Sequence, residues 1–220
     1  MDYEHDTLNA YRSVNRAKQY KDFHTKQLSW GRFVTFIEQR AISRILKQYN
    51  WSKSDRLLDI PCGTGVLGRL LHDFSFKISA SDISTEMMEF AKGEYPNNRL
   101  VEFTQQDITR TEFKRDYFSC VITLGFLHRV PLDIKRESLR EIFKITKRIA
   151  IVSCSVDTPL QRLKHKVLSL VKRNHVPAPC PIKINELISE CQNQGFYVER
   201  SMMIVPLLSA HALLVLKKIN

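Results

Sequence analysis

Leu57-Leu58-Asp59-Ile60-Pro61-Cys62-Gly63-Thr64-Gly65 joins an apolar run to a glycine turn, and the helical pattern Val66–Phe74 follows at once. A strand, a tight loop and a helix start in that order bring backbone N–H groups up against a ligand. Glycine is required in such a turn because it reaches backbone angles that side chains disfavour, and because a Cβ would block close approach. The stretch predicts the first strand and loop of a doubly wound α/β sheet.

Working outward, Gly63, Gly65 and Gly68 also satisfy the dinucleotide pattern G-x-G-x-x-G, so a nicotinamide cofactor competes for the loop. The acids decide. Asp59 at the tip of the first strand would repel a pyrophosphate and attract an ammonium group. The second predicted strand, Lys77–Ala80, leads to Asp82, at the spacing of about 20 residues where an acid accepts from ribose hydroxyls. The third, Leu100–Thr104, leads to Gln106-Asp107-Ile108, where a carboxylate accepts from an adenine amine and Ile108 packs on the base. Three acids after three successive strands suit a ligand with an ammonium, a ribose and an adenine. A dehydrogenase fits less well: Tyr49 and Lys53 form the chain's Tyr-x-x-x-Lys spacing, but before the glycine loop. As alternatives, Asp82 or Asp107 could be ordinary helix or turn caps, since Asp is a favoured capping residue.

The constellation resembles the class I S-adenosylmethionine-dependent methyltransferases. Asp59–Gly65 is similar to their first motif, Ala80-Ser-Asp82-Ile83-Ser to their second and Gln106-Asp107-Ile108 to their third. Val121-Ile-Thr-Leu124-Gly125-Phe-Leu-His128 resembles their fourth strand and its loop. The resemblance implies S-adenosyl-L-methionine as cofactor, held by Tyr20, Arg32, Asp59, Pro61, Cys62, Gly63, Gly65, Asp82, Ile83, Met87, Asp107, Ile108, Leu124 and Gly125. Tyr20 and Arg32 enter because the N-terminal arm closes over the cofactor in many members, and an Arg serves its carboxylate well. Cys62 is expected to pack or to contact backbone.

The remaining chain fits that frame. Strands are expected at Arg56–Ile60, Tyr117–Leu124 and Arg148–Ser155, with helices centred on Leu70, Met87 and Leu139. Residues 1–50 read as a helical arm broken near Trp30-Gly31, with Phe33, Phe36, Ile37, Ile42, Ile45 and Leu46 on its buried face. Leu160–Arg173 is a basic amphipathic stretch, followed by Pro177, Pro179 and Pro181, which forbid a continuous helix. Residues 156–182 therefore read as a basic insertion or lid over the acceptor pocket. A short helix near Asn185–Gln194 precedes two apolar runs, Phe196–Val205 and Ala210–Leu216, expected to pair as an antiparallel hairpin. The expected architecture is one domain over 1–220 with a mostly parallel seven-stranded sheet.

Bulk properties narrow the partners. The 220 residues are 43% hydrophobic and 26% charged, as expected of a folded chain. No apolar run reaches the roughly 18 residues that cross a bilayer, and the start lacks a secretory pattern. Five cysteines without a Cys-x-x-Cys pair argue against a disulfide framework or a metal site, and a reducing cytoplasm fits. The net charge is +11. Between Arg12 and Lys47 the basic residues face only Asp22 and Glu38, and Thr158–Asn185 contains no acid. Such a field attracts anionic partners.

Methyl transfer from a sulfonium is an in-line displacement in which the protein aligns the acceptor, excludes water and, for a hydroxyl, removes a proton. His128, after the fourth strand, is the first choice as base, because its unperturbed pKa lies near neutrality. His24, Tyr20 and His211 rank behind it. The alternative for His128 is a loop hydrogen bond or a cap on the next helix. The expected function is methyl transfer to a small-molecule or lipid-linked, anionic acceptor at oxygen, with possible peripheral membrane contact through 160–173. Two alternatives remain: an RNA or tRNA methyltransferase, favoured by charge, and a non-catalytic S-adenosylmethionine-binding protein. Against the first, Leu124-Gly-Phe-Leu stands where amino-directed enzymes place Asn-Pro-Pro-Tyr or Asp-Pro-Pro-Tyr.

Overall fold

The computed structural model describes residues 30–96, 98–171, 180–206 and 208–219. Seven strands form one sheet: β1 (Arg56–Asp59), β2 (Lys77–Asp82), β3 (Leu100–Gln105), β4 (Phe118–Thr123), β5 (Thr146–Ser155), β6 (Phe196–Met203) and β7 (His211–Lys218). Their order across the sheet is β3-β2-β1-β4-β5-β7-β6. The first five run parallel, β7 is antiparallel to β5, and β6 pairs antiparallel with β7. The expected sheet and terminal hairpin are both present.

The helices are α1 (Trp30–Leu46), α2 (Thr85–Ala91), α3 (Leu132–Ile145), α4 (Pro159–Val171) and α5 (Ile184–Asn193). Because strand side chains alternate, each strand feeds two cores. One core sets Leu57, Ile78, Cys120, Ile122 and Ile151 against Ile42, Ile45 and Leu46 of α1 and Met88 and Ala91 of α2. The other sets Leu58, Val121, Ala150 and Val152 against Leu139 and Ile142 of α3 and Leu187 and Cys191 of α5.

Two expectations need correction. The stretch after the glycine loop is not an α-helix over Val66–Phe74; it passes through turns into a 3₁₀ helix, Gly68–Asp73. Close packing explains this: a Cβ on Gly68 would lie 2.4 Å from the Glu94 carbonyl oxygen, so the segment is pressed against the chain that follows α2. Phe33 and Phe36 are exposed rather than buried. The buried stripe of α1 is Gly31, Val34, Thr35, Ile42, Ile45 and Leu46, while Phe33 packs on Trp30 and Phe36 lies under the Arg40 guanidinium. Aromatic neighbours and an Arg stem shield these rings without the sheet. The first described helix, α1, begins at Trp30, so the expected break near Trp30-Gly31 falls at the edge of the described residues and the earlier arm outside them. Among those residues no helix is long and apolar enough to cross a membrane.

Candidate active site at the carboxyl edge of the sheet

The strand order places the ends of β3, β2, β1, β4 and β5 side by side, which turns sequence motifs into one continuous edge. Open α/β sheets bind ligands at that edge. The loop after β1 leaves through a cis Ile60-Pro61 peptide, and Gly63 and Gly65 adopt φ of +54° and +80°. Both angles lie in the left-handed region, which explains glycine at each. Gly65 also faces α2, where an added Cβ would meet the Ala91 Cα at 3.0 Å. Cys62 donates its N–H to the Ser81 carbonyl at 2.8 Å, and its buried side chain belongs to the α1-side core.

Asp82 holds this loop in place. Its Oδ2 accepts the Gly63 N–H at 2.8 Å, and its Oδ1 accepts the Ser84 N–H at 2.9 Å. Ser84, not Asp82, caps α2, its Oγ accepting the Met87 N–H at 3.1 Å. Burial pushes the Asp82 carboxyl up to about 6, against the pull of its backbone donors. With Ile83 as a third backbone donor, one of the carboxylate's four lone-pair sites is left for a hydroxyl. Ile83 is half-buried and its carbonyl accepts the Gln105 side chain; Met87 is buried on the first turn of α2.

Asp59 is only 2% exposed, and the Tyr95 hydroxyl donates to its Oδ2 at 2.5 Å. Burial raises its carboxyl to about 7; Tyr95 opposes the rise and the nearby Asp82 adds to it. Asp107 caps its own turn, with Oδ1 accepting from the Thr109 N–H and hydroxyl at 2.9 and 2.8 Å. Its Oδ2 lies 4.0 Å from Arg110 Nε. The side chain of Ile108 is buried in the α3-side core with Phe118 and Phe126.

Beyond β4, Leu124 is half-buried and Gly125 takes φ of +68°. The Gly125 N–H donates to Ser153 Oγ at 3.0 Å, and its carbonyl accepts Arg129 Nε at 2.9 Å. His128 follows on the 3₁₀ turn Leu127–Arg129. Its ring meets His211, from the start of β7, edge-on at 5.5 Å between centroids. Helix capping by His128 is ruled out by position: Pro131 precedes α3 and no side chain caps it. Burial holds the His128 imidazole well below its ordinary pKa, with Arg129, His211 and Lys135 adding to the effect, so it is neutral. Arg32 lies on the exposed side of the first turns of α1, and Tyr20 and His24 lie outside the described residues.

Buried polar atoms without partners are rare in folded proteins and each calls for an explanation. Among the described residues there are four on side chains: Glu38 Oε1, Thr123 Oγ1, His128 Nδ1 and His211 Nδ1. Thr123 ends β4, His128 follows it, and His211 pairs with Ser155 at the end of β5. The Glu38 carboxyl feels the hydroxyl of Ser153, two residues earlier on β5, which lowers its pKa against burial. Of these, His128 and His211 are brought into contact near the ends of β4 and β5, whereas Thr123 shares the sheet face of Val121 and Glu38 that of Ile151. Sequence reading missed Glu38, although there was a signal: it stands one turn from Val34 and one from Ile42, an acid on the apolar stripe of α1.

Comparison with known proteins agrees with this geometry. A family model described as "Methyltransferase domain" matches residues 57–148, which contain the glycine loop, Asp82, Asp107 and His128. A demethylmenaquinone methyltransferase of Clavibacter sepedonicus is 27% identical over 153 residues, 69% of this chain and 60% of that one. A malonyl-[acyl-carrier protein] O-methyltransferase of Acetivibrio thermocellus is 33% identical over 85 residues, 37% of this chain and 30% of that one. The chain spans less than two thirds of the length of the curated relatives it matches. Among solved structures, magnesium protoporphyrin IX methyltransferase from Synechocystis PCC 6803, with bound S-adenosylhomocysteine, superposes with a TM-score of 0.77. That match covers 96% of this chain and 97% of the other at 16% identity, a likeness of fold. The methyltransferase-domain match thus lies over the glycine loop and its acids, on a sheet whose fold is that of a solved S-adenosylhomocysteine-bound methyltransferase.

Proposed function

We propose that the protein transfers a methyl group from S-adenosylmethionine to oxygen of an anionic small-molecule or lipid-linked acceptor, with His128 taking the acceptor's proton. The observation that carries this reading is the buried, neutral His128, whose Nδ1 has no partner among the described residues and which stands just past Gly125. An imidazole kept neutral by burial has a nitrogen lone pair free to accept, although the same burial and the nearby Arg129 and Lys135 make it a weaker base than a free histidine. S-adenosylmethionine supplies a reactive methyl and a neutral leaving group. The chain's part is to grip the nucleoside through Asp82 and the Gly63 loop, to exclude water with the cover of α1, and to remove the hydroxyl proton at His128 Nδ1. Edge-on contact with His211 fixes the ring for that step.

Support for the acceptor class comes from charge. A net charge of +11 draws an anion toward the edge, and one relative is named an O-methyltransferase. The rim adds an apolar element: Trp30, Phe33, Leu163 and Leu208 are all about half exposed. Lys164 joins them, its ammonium 5.9 Å from the Trp30 ring centre and bonded to the Leu208 carbonyl. Aromatic and basic groups side by side suit contact with an anionic lipid surface, from which a lipid-linked acceptor would enter.

The test is release of S-adenosylhomocysteine from S-adenosylmethionine on addition of fractionated cell extract. His128→Ala should cut turnover by about 100-fold, the usual weight of a positioned base, while leaving S-adenosylhomocysteine affinity unchanged. Full turnover in the variant removes His128 as base. Cofactor binding with no product from any fraction would instead mark a sensor.

A further inference from the structure

Glu38 has no role in the scheme above, yet it is the most unusual charged residue of the fold. It occupies the sheet-facing stripe of α1, between Val34 and Ile42. One oxygen, Oε1, is buried without a hydrogen-bond partner among the described residues. The hydroxyl of Ser153, a fully buried residue of β5, lies close enough to favour the charged carboxylate against its burial. Ser153 in turn accepts the Gly125 N–H at 3.0 Å. Ser153 therefore stands between the loop after β4, which it bonds, and an acid on α1. The next residue, Gln39, donates Nε2 to the Val66 carbonyl at 2.5 Å, tying the same turn of α1 to the glycine loop.

A buried carboxyl lacking a cation is costly and is retained where a ligand supplies the missing charge. The sheet order says which part of the ligand that is. Asp107 ends at β3, Asp82 at β2 and the glycine loop at β1. A nucleoside laid with its adenine over β3 and ribose over β2 must carry its amino-acid chain past β1 to β4 and β5. Gly125, Ser153 and Glu38 stand there. Asp59, the acid first expected to meet an ammonium, has its Oδ2 engaged by the Tyr95 hydroxyl inside the fold. We propose that Glu38, positioned by Ser153, binds the α-ammonium of the cofactor's amino-acid end.

The inference rests on the placement of the cofactor along this edge, and the two can fail separately. The experiment is calorimetric titration of wild type and Glu38→Gln with S-adenosylhomocysteine and with its deaminated analogue, in which hydrogen replaces the ammonium. A charge-assisted hydrogen bond makes wild type prefer the amino compound by about 10-fold or more, and the Gln variant should shrink that preference to roughly 2-fold. Ser153→Ala should reduce the preference by less, and serves if the Gln variant does not fold. An equal preference in wild type and variants overturns the proposal while leaving the cofactor site standing. Loss of S-adenosylmethionine binding with S-adenosylhomocysteine binding intact overturns it too, because the carboxyl would then be serving the sulfonium. Failure of wild type to bind either compound would overturn the placement and the inference together.

Discussion

Replacing Asp59 by Asn makes a direct test of how this site stores charge. Asp59 is almost fully buried, and its carboxyl is raised from 3.8 to about 7. The folded protein therefore holds a proton there that the unfolded chain has already lost, so stability falls as pH rises between these values. This contribution is fully present below pH ~4 and gone above pH ~7. At about 1.4 kcal/mol per pH unit the gap is worth on the order of 4 kcal/mol as a ceiling. Asn keeps the shape and an acceptor for Tyr95 but does not titrate. Urea denaturation of wild type and Asp59→Asn at pH 4.5 and pH 8 isolates the effect from the other raised acids, Glu38 and Asp82, which both proteins share. Wild type should lose about 2–4 kcal/mol more than the variant across that span. Parallel profiles, or a wild type that gains on the variant as pH rises, would refute the reasoning.

Two further outcomes follow from the same contacts. Asp82→Asn leaves Gly63 and Ser84 with a weaker acceptor and removes the charge facing the ribose; S-adenosylhomocysteine affinity should fall by about 1–3 kcal/mol in titration, and unchanged affinity would count against the ribose assignment. If the rim meets lipid, Trp30→Ser with Leu163→Ser should abolish flotation with vesicles containing anionic phospholipid, whereas retained flotation, or equal binding to neutral vesicles, would argue against a basic-aromatic docking face.

Much of the fold was legible from residue order because it depends on neighbours along the chain. The apolar runs that end at Asp59 and lead to Asp82, the glycines at Gly63 and Gly65, and the acid at each strand end are all local patterns. The terminal hairpin was legible for the same reason, since its two apolar runs lie close in sequence. Local pattern misled where packing dominates. Val66–Phe74 looked helical, but the carbonyl of Glu94 presses on Gly68 and leaves a 3₁₀ segment. Phe33 and Phe36 looked like core, but the sheet takes the Val34 and Ile42 side of α1.

The sequence by itself carried the resemblance to the methyltransferases, the class of cofactor and the glycine loop, because those follow from spacing within one continuous stretch. Only the tertiary structure decided which polar groups share the reacting edge. His128 meets His211 because β7 inserts antiparallel between β5 and β6. Glu38 meets Ser153 because α1 crosses the same face as the β5 side chains. Contacts between segments so far apart in sequence arise from burying one apolar face against another, and no local spacing encodes which polar residues that burial brings together.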